Sequence, residues 1–323
     1  MTILINACCA RYGGAKSIVQ SYIDNYSGEE EVVLLAPDVY SISSERVKHI
    51  KISTNGLFTL LFSSVFIGIF ILKFKARVVL SFTNINFLLP LCGRITYFHQ
   101  LKIFEGRELR FRILRVVLKR FLLKSSFIFQ TTFVRDSFIK YLGRPRKVYI
   151  CWPGCNVEVS HVNEKALTPG FNALIPYIEI TAKQKNFEFF KGKSSDLFRL
   201  CDDVYVPSKS YGNDLGFRFI GPQKKHELIA LYEKTAVVLV ASTVETVCLP
   251  IFEFASTGKP VIVIDAPYIR AISEAMCLPK NIVIVSRGMF TSVLEDVKNN
   301  YESYCEFDEG KLVGIKTRCW PEI

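Results

Sequence analysis

The chain has 323 residues and is 50% hydrophobic, 22% charged and 13% aromatic, a mixture that excludes disorder, collagen-like repeats and a small disulfide scaffold. Lys and Arg number 41 against 30 Asp and Glu, a formal net charge of +11, which favours an acidic partner such as nucleic acid, phosphate or anionic lipid. A chain of this length forms two domains more readily than one swollen core.

In chain order, MTILINACCARYGG has no basic start before its apolar run; it reads as a strand entered at once, not as a signal peptide. Strands follow over Thr2–Cys8, Glu31–Leu35, His49–Ile52, Arg77–Ser81, Arg94–Phe98, Ser126–Gln130 and Lys147–Cys151, with helices over Ala15–Tyr26, Leu57–Phe74, Glu108–Leu123 and Thr132–Leu142. The polar stretch WPGCNVEVSHVNEKALTPG reads as a linker. Beyond it, strands are expected over Phe171–Pro176, Asp203–Val206, Arg218–Ile220, Ala236–Val240, Pro260–Ile264 and Asn281–Val285. The helices between them cover Lys224–Lys234, Pro250–Thr257, Tyr268–Met276 and Met289–Asn299. Such alternation is the mark of βαβ units around parallel sheets. It predicts two doubly wound α/β domains, 1–165 and 166–300, facing each other across a cleft, with 301–323 as a segment returning to the first.

Two segments of the first half stand out. Leu57–Leu72 is an apolar run followed by Lys73, Lys75 and Arg77. It is shorter than the ~20 residues that span a bilayer and is diluted by Thr59, Ser63, Ser64 and Gly68. It reads as a helix packed between a sheet and its neighbours, with a membrane-inserting helix as the alternative. Residues 102–124 carry Arg110, Arg112, Arg115 and Lys119 among eight basic residues, against Glu105 and Glu108, interleaved with apolar ones. This reads as a basic amphipathic helix, either lying on anionic lipid or simply solvated. No base-stacking platform or helix-turn-helix points to nucleic acid.

The ten cysteines are scattered apart from Cys8-Cys9, and neither they nor the four histidines stand at metal-ligand spacing. They read as packing cysteines of a reduced, cytosolic protein. Gly13-Gly14, between the first strand and helix, would let the backbone approach an anion. The loop lacks both the glycine that a Walker A loop places before Lys16-Ser17 and the third glycine of a dinucleotide fingerprint.

The strongest signal is VVLVASTVETVCLPIFEFASTGKPVIVID. A strand runs into a loop with Glu245, Pro250 suits the first helical turn, and Glu253 lies one turn inside, with Gly258 ending the helix. Diphosphate could sit on the N–H groups of the helix start while the two carboxylates accept hydroxyls from sugars. The plain alternative is a capping acid and a solvated one.

This stretch resembles the E-x7-E signature of the retaining nucleotide-sugar glycosyltransferases of family 4, which have the GT-B double-Rossmann fold. Gly13-Gly14 resembles that family's N-terminal glycine loop. YFHQ resembles its donor-facing histidine, here His99, and FNALIPYIEITAKQKNFEFF its phosphate-binding strand and lysine, here Lys185. The resemblance implies a hexosyltransferase that retains configuration by internal return, with Glu245 and His99 catalytic. Gly13, Gly14, Lys185, Cys248 and Leu249 would be at the donor diphosphate and Glu253 at the nucleotide ribose, and Arg110, Arg112, Arg115 and Lys119 would face a membrane. The donor would be a nucleotide diphosphate sugar, with no metal and no further cofactor, and the acceptor a glycan, lipid-linked in O-antigen- or capsule-like polysaccharide synthesis. The location implied is cytoplasmic, on the inner face of the plasma membrane, with an anionic membrane surface and no nucleic acid as partner. The family's aromatic and glycine after the first Glu are replaced by Val247 and Cys248, and no Arg precedes Lys185 within 176–184. The rival readings are a nucleotide-sugar epimerase or hydrolase on the same fold, and an inactive nucleotide-binding homologue.

Overall fold

The computed structural model describes residues 2–155, 170–208, 216–317 and 320–321. The expected boundary at 165/166 and most of the linker fall outside them. The chain divides into two compact units, Met1–Pro153 with Arg318–Ile323, and Gly154–Thr317.

In the first unit, β1 (Thr2–Asn6), β2 (Glu31–Ala36), β3 (Val47–Lys51), β4 (Ala76–Ser81), β5 (Gly93–Phe98), β6 (Ser126–Phe129) and β7 (Lys147–Ile150) form one sheet in the order β3-β2-β1-β4-β5-β6-β7. Every pairing is parallel. Strands buried on both faces need unbroken apolar runs, as Val32–Ala36 provides. Helix α1 (Gly13–Asp24) follows β1, and α2 (Gly56–Phe74) connects β3 to β4. Helix α3 (Leu109–Val117) runs on into a π-helical turn, Leu118–Leu122. Helix α4 (Thr132–Leu142) starts where the Thr131 hydroxyl accepts from the Val134 N–H. Phe138 of α4 is fully buried against Phe98, Phe127 and Phe129, with ring centroids 4.8–5.1 Å apart.

Only one side of α2 is covered, so the expectation of a helix enclosed between a sheet and its neighbours is corrected. Its middle turn, Phe62–Phe66, is π-helical. The residues that dilute the apolar run face inward. Ser63 accepts from Asn6 Nδ2 (2.9 Å) and from the Thr83 hydroxyl (2.9 Å), and Thr59 pairs with Thr54 (2.8 Å). Gly68 lies so close to Phe87 that a Cβ would stand 2.9 Å from its ring.

In the second unit, β8 (Ala173–Leu174), β9 (Val204–Val206), β10 (Phe217–Phe219), β11 (Val237–Val240), β12 (Val261–Ile264) and β13 (Ile282–Val285) form a parallel sheet in the order β10-β9-β8-β11-β12-β13. Its helices are α5 (Phe187–Lys191), α6 (Ser194–Leu200), α7 (Lys225–Lys234), α8 (Leu249–Ala255), α9 (Pro267–Ala275), α10 (Phe290–Asn299) and α11 (Glu309–Lys316). In both sheets the order in which successive strands are added reverses beside the first strand, between β1 and β4 and between β8 and β11. Open α/β sheets bind ligands beyond the carboxyl ends of strands at such switch points.

The C-terminal segment differs from expectation in extent. Residues 301–317 stay with the second unit because three backbone acceptors hold them there. Ala236 accepts from the Tyr301 hydroxyl (3.0 Å) and Gly258 from the Glu306 N–H (2.8 Å), while Ile315 accepts from the Cys155 N–H (3.2 Å). Only beyond Thr317 does the chain join the first unit, where the Trp320 ring packs against Tyr22 (5.1 Å) and Tyr97 (5.7 Å).

Candidate functional site

At the switch point of the second sheet, the loops after β8 and β11 are tied together. The buried Tyr177 hydroxyl accepts from the Ala241 N–H (2.7 Å) and from Ser242 Oγ (3.1 Å). Asn186 is left-handed (φ 54°) and donates from Nδ2 to the Ala241 carbonyl (3.1 Å); the Thr243 N–H donates to the Gln184 carbonyl (2.8 Å). These bonds fix a short 3-10 turn, Lys183–Lys185, so that Lys185 Nζ meets Glu245 Oε1 at 2.5 Å and lies 5.2 Å from the centre of the Tyr177 ring. Lys185 and Glu245 stand 60 positions apart in the sequence, and only the crossing of two loops shows that they touch.

Both side chains are largely shielded, 25% and 18% exposed. Burial opposes the Lys185 charge, but the neighbouring acidic groups, Cys248 and Glu245, outweigh it and hold its proton more firmly than in a free lysine. Of those two, Glu245 supplies the charge, because burial keeps the Cys248 thiol protonated. Cys248 is the common neighbour of the cluster, within electrostatic reach of Glu245, Lys185 and Glu253. The structure therefore gathers Lys185, Glu245, Cys248 and Glu253 in one place, with Leu249 opening the helix beside them.

The start of α8 offers less to an anion than the sequence suggests. Pro250 has no N–H, the Ile251 N–H donates to the Cys248 carbonyl (3.0 Å), and the helix is seven residues long. Cys248 holds the left-handed conformation (φ 61°) that glycine adopts at no cost. Glu253 is half-buried and accepts a long hydrogen bond (3.5 Å) from the hydroxyl of Tyr232 in α7. Burial first, then the Glu253 charge, push the Tyr232 hydroxyl pKa well above its ordinary value. Tyr177 and Tyr232, both buried, belong to this site and escaped the sequence reading. Polar-tipped aromatics beside the strand ends were the available signal.

In the first unit, Gly13 starts α1 with φ 64° and open space where a side chain would be, so the backbone conformation, not crowding, selects glycine. Gly14 continues the helix. His99 follows β5; its N–H donates to Asn84 Oδ1 (2.7 Å), and Asn84 Nδ2 lies 3.5 Å from its Nε2. Asn84, itself left-handed (φ 63°), fixes the histidine from the loop after β4. Burial lowers the His99 pKa to about 4, with the Tyr97 carbonyl opposing, so the ring is neutral at neutral pH. The unfolded chain then binds more protons between pH 6.5 and 4, and stability falls as pH drops through that window. Acid melts should show His99→Gln losing about 2–3 kcal/mol less than the wild type from pH 7 to pH 4. Parallel curves would remove the neutral, buried ring.

Of the residues expected to face a membrane, Arg110, Arg112 and Lys119 are exposed, Arg110 pairing with exposed Glu108. Arg115 is a correction. Its guanidinium turns inward and donates to the carbonyls of Ile103 (2.6 Å) and Gly106 (2.9 Å), clamping the turn before α3. Among the described residues no group of three or more His, Cys, Asp or Glu side chains is placed to hold a metal ion.

No protein-family model and no curated sequence matches the chain. Solved structures do. HepE of Anabaena in complex with UDP-glucose aligns with a TM-score of 0.61 at 13% identity, over 98% of this chain and 92% of that one. Sucrose-phosphate synthase of Thermosynechococcus elongatus aligns at 0.68 and 12%, over 98% and 94%. WaaG, a glycosyltransferase involved in lipopolysaccharide biosynthesis, aligns at 0.69 and 12%, over 94% and 92%. At such identities the likeness is one of architecture, and with two switch-point sheets in the same chain it establishes that the protein has the GT-B fold.

Proposed function

We propose that the chain is a retaining hexosyltransferase of the family 4 type. It would move a hexose from a nucleotide diphosphate sugar to a glycan acceptor, lipid-linked, in surface-polysaccharide assembly of the O-antigen or capsule kind. The observation that carries the reading is the shielded Lys185–Glu245 pair at the switch point of the second sheet. A donor would enter this site by replacing one anion beside Lys185 with another. The diphosphate takes the ammonium, and Glu245, released, accepts hydroxyl hydrogens of the sugar.

Transfer breaks the bond from the sugar's anomeric carbon to phosphate and forms one to the acceptor oxygen on the same face. The acceptor proton passes to the departing phosphate oxygen. Positive charge grows on the sugar and negative charge on the leaving group, and a fixed cation and carboxylate lower that barrier. Glu253 would hold the ribose, and Gly13, Gly14 and His99 keep the donor roles that the family resemblance implies. Cys248 and Leu249 would lie against the diphosphate, and the reading calls for no metal. It places the enzyme in the cytoplasm, on the inner face of the plasma membrane, where the basic surface of the first unit meets anionic lipid.

A thermal-shift panel of uridine, guanosine, adenosine and thymidine diphosphate sugars tests the reading, because a ligand of the folded state raises the melting temperature. Glu253→Ala should then weaken binding of the stabilising nucleotide by about 1–3 kcal/mol, the cost of leaving ribose hydroxyls unpaired. Unchanged affinity would remove the ribose assignment. The left-handed Cys248 favours one rival, an inactive homologue, which would bind donor and turn none over. An epimerase or hydrolase would release isomer or free sugar without acceptor.

A further inference from the structure

Helix α2 is apolar on both sides. Thr59, Ser63, Ser64 and Gly68 are buried on its sheet side together with Phe62, Ile67 and Ile71, and a second set of large apolar residues points away. Leu57, Leu61, Val65 and Ile69 follow at four-residue steps and Leu72 three further on, each 45–70% exposed, with exposed Phe58 and Phe66 beside them. Residues four apart share a side of a helix, and the ridge they make drifts by about 40° per step in a regular α-helix. The wider π turn at Phe62–Phe66 checks that drift midway, so the ridge keeps to one side along the helix. Exposed apolar residues scattered singly are ordinary; a contiguous strip marks a contact surface.

The surroundings of the strip say what covers it. Residues 46–104 contain no Asp or Glu, and 46–153 hold twenty Lys and Arg against Glu105, Glu108 and Asp136. That surplus of 17 exceeds the +11 of the whole chain, so the rest is net acidic. Helix α3 lies on the same face of the sheet. Phe62, Ile67 and Ile71 of α2 pack with Leu4, Val33 and Val79, while Phe111, Leu118 and Leu122 of the α3 segment pack with Phe98, Phe127 and Phe129. The pairings Leu4–Val33, Leu4–Val79, Thr96–Phe127 and Phe98–Phe129 put all these strand residues on one side. Leu60 of α2 packs against the α3 cluster, so the two helices are neighbours. The outer side of the α3 segment carries exposed Leu109, Arg112, Val116, Lys119, Arg120 and Phe121.

We infer that α2 lies in the plane of an anionic bilayer as a monotopic anchor, its ridge among the upper acyl chains. Lys73, Lys75 and the exposed arginines and lysines of α3 then meet the lipid headgroups. An apolar helix face flanked by basic residues has the composition of an interfacial anchor. A second copy of the chain fits poorly, because a symmetric interface would set this positive surface against itself. Spanning is excluded by packing, since it would strip Phe62, Ile67 and Ile71, each under 7% exposed, from the sheet. The inference rests on the membrane partner proposed above and names the element that enters it.

The test is flotation of the full-length protein with vesicles of phosphatidylcholine alone or with 30% phosphatidylglycerol. Wild-type protein should float with the anionic vesicles. Leu61→Glu/Val65→Glu/Ile69→Glu should lower partitioning at least tenfold while keeping the wild-type melting temperature, since these side chains touch solvent. Ile69→Trp should be quenched by bromine placed on the acyl chains. If wild-type protein fails to float, the membrane partner falls and the anchor with it. If the triple variant floats like wild type, the anchor alone falls. A wild-type dimer that the triple variant disperses, with flotation unchanged, would assign the ridge to self-association and overturn the inference. None of these readouts needs a donor sugar, so a failed transfer assay leaves them standing.

Discussion

Replacing Lys185 with alanine is expected to cut sugar transfer by about 10²–10³-fold, the usual cost of losing one fixed group aimed at developing charge. The departing diphosphate would lose its cation in a site shielded from water, where a counter-charge matters more than at the surface. Glu245 would be left half-enclosed without its ion-pair partner, which sits 2.5 Å away in the wild type. The same substitution should therefore lower folding stability by about 1–2 kcal/mol. Glu245→Gln separates the two effects. It removes the carboxylate but keeps a hydrogen-bond acceptor for Lys185, so stability should change less than turnover. A double-mutant cycle over Lys185→Ala and Glu245→Ala should show strong coupling in turnover, because the two side chains touch and the proposed transfer would have both act on one bond. Transfer by Lys185→Ala at the wild-type rate would take the lysine out of the site.

The parts that could be read from the sequence are those set by local pattern. The thirteen strands among the described residues fall within a few residues of the expected ones, because β-branched runs buried on both faces tolerate little else. Helix Thr132–Leu142 matches the expected bounds, and its ends carry local signals, the capping Thr131 and the following Gly143. Short helices without full amphipathic repeats, Phe187–Lys191 and Ser194–Leu200, were missed. What escaped in the site was long-range. Nothing local announces that Tyr177 joins two loops 64 positions apart, or that Lys185 and Glu245 pair. Arg115 looked like its neighbours Arg110 and Arg112, yet one helical step turned it toward bare carbonyls instead of solvent. In α2 the composition was legible but its orientation was not. Serines inside a leucine-rich run ordinarily mark the wet side; here Ser63 serves a buried network with Asn6 and Ser81, and Ser64 donates to the Leu60 carbonyl of its own helix.

Lys259 supplies the largest expected effect on stability, and its position in the loop before β12 gave no hint of it. The residue is 5% exposed, and its ammonium donates to the carbonyls of Tyr232, Glu233 and Thr235, each at 3.0 Å. The last carbonyls of a helix have no partner within it. Those of α7 are met by a cation at the negative end of the helix dipole. Burial lowers the Lys259 pKa, with Cys305 and Glu233 opposing, so the charge is held at a cost that the three acceptors offset. Lys259→Met keeps most of the buried chain and removes every donor. The Glu233 and Thr235 carbonyls lose this donor at about 1–3 kcal/mol each, less where water can reach them, while the Tyr232 carbonyl keeps the Thr235 N–H (3.3 Å), for a total of about 2–4 kcal/mol. Because α7 also carries Tyr232, whose hydroxyl reaches Glu253, the loosened helix should weaken nucleotide binding with no contact to the ligand itself. Chemical unfolding of wild type and variant measures the first effect, and nucleotide titration at a temperature where both are folded measures the second. A variant as stable as wild type would mean that water replaces the ammonium, and that the end of α7 is held by its packing alone.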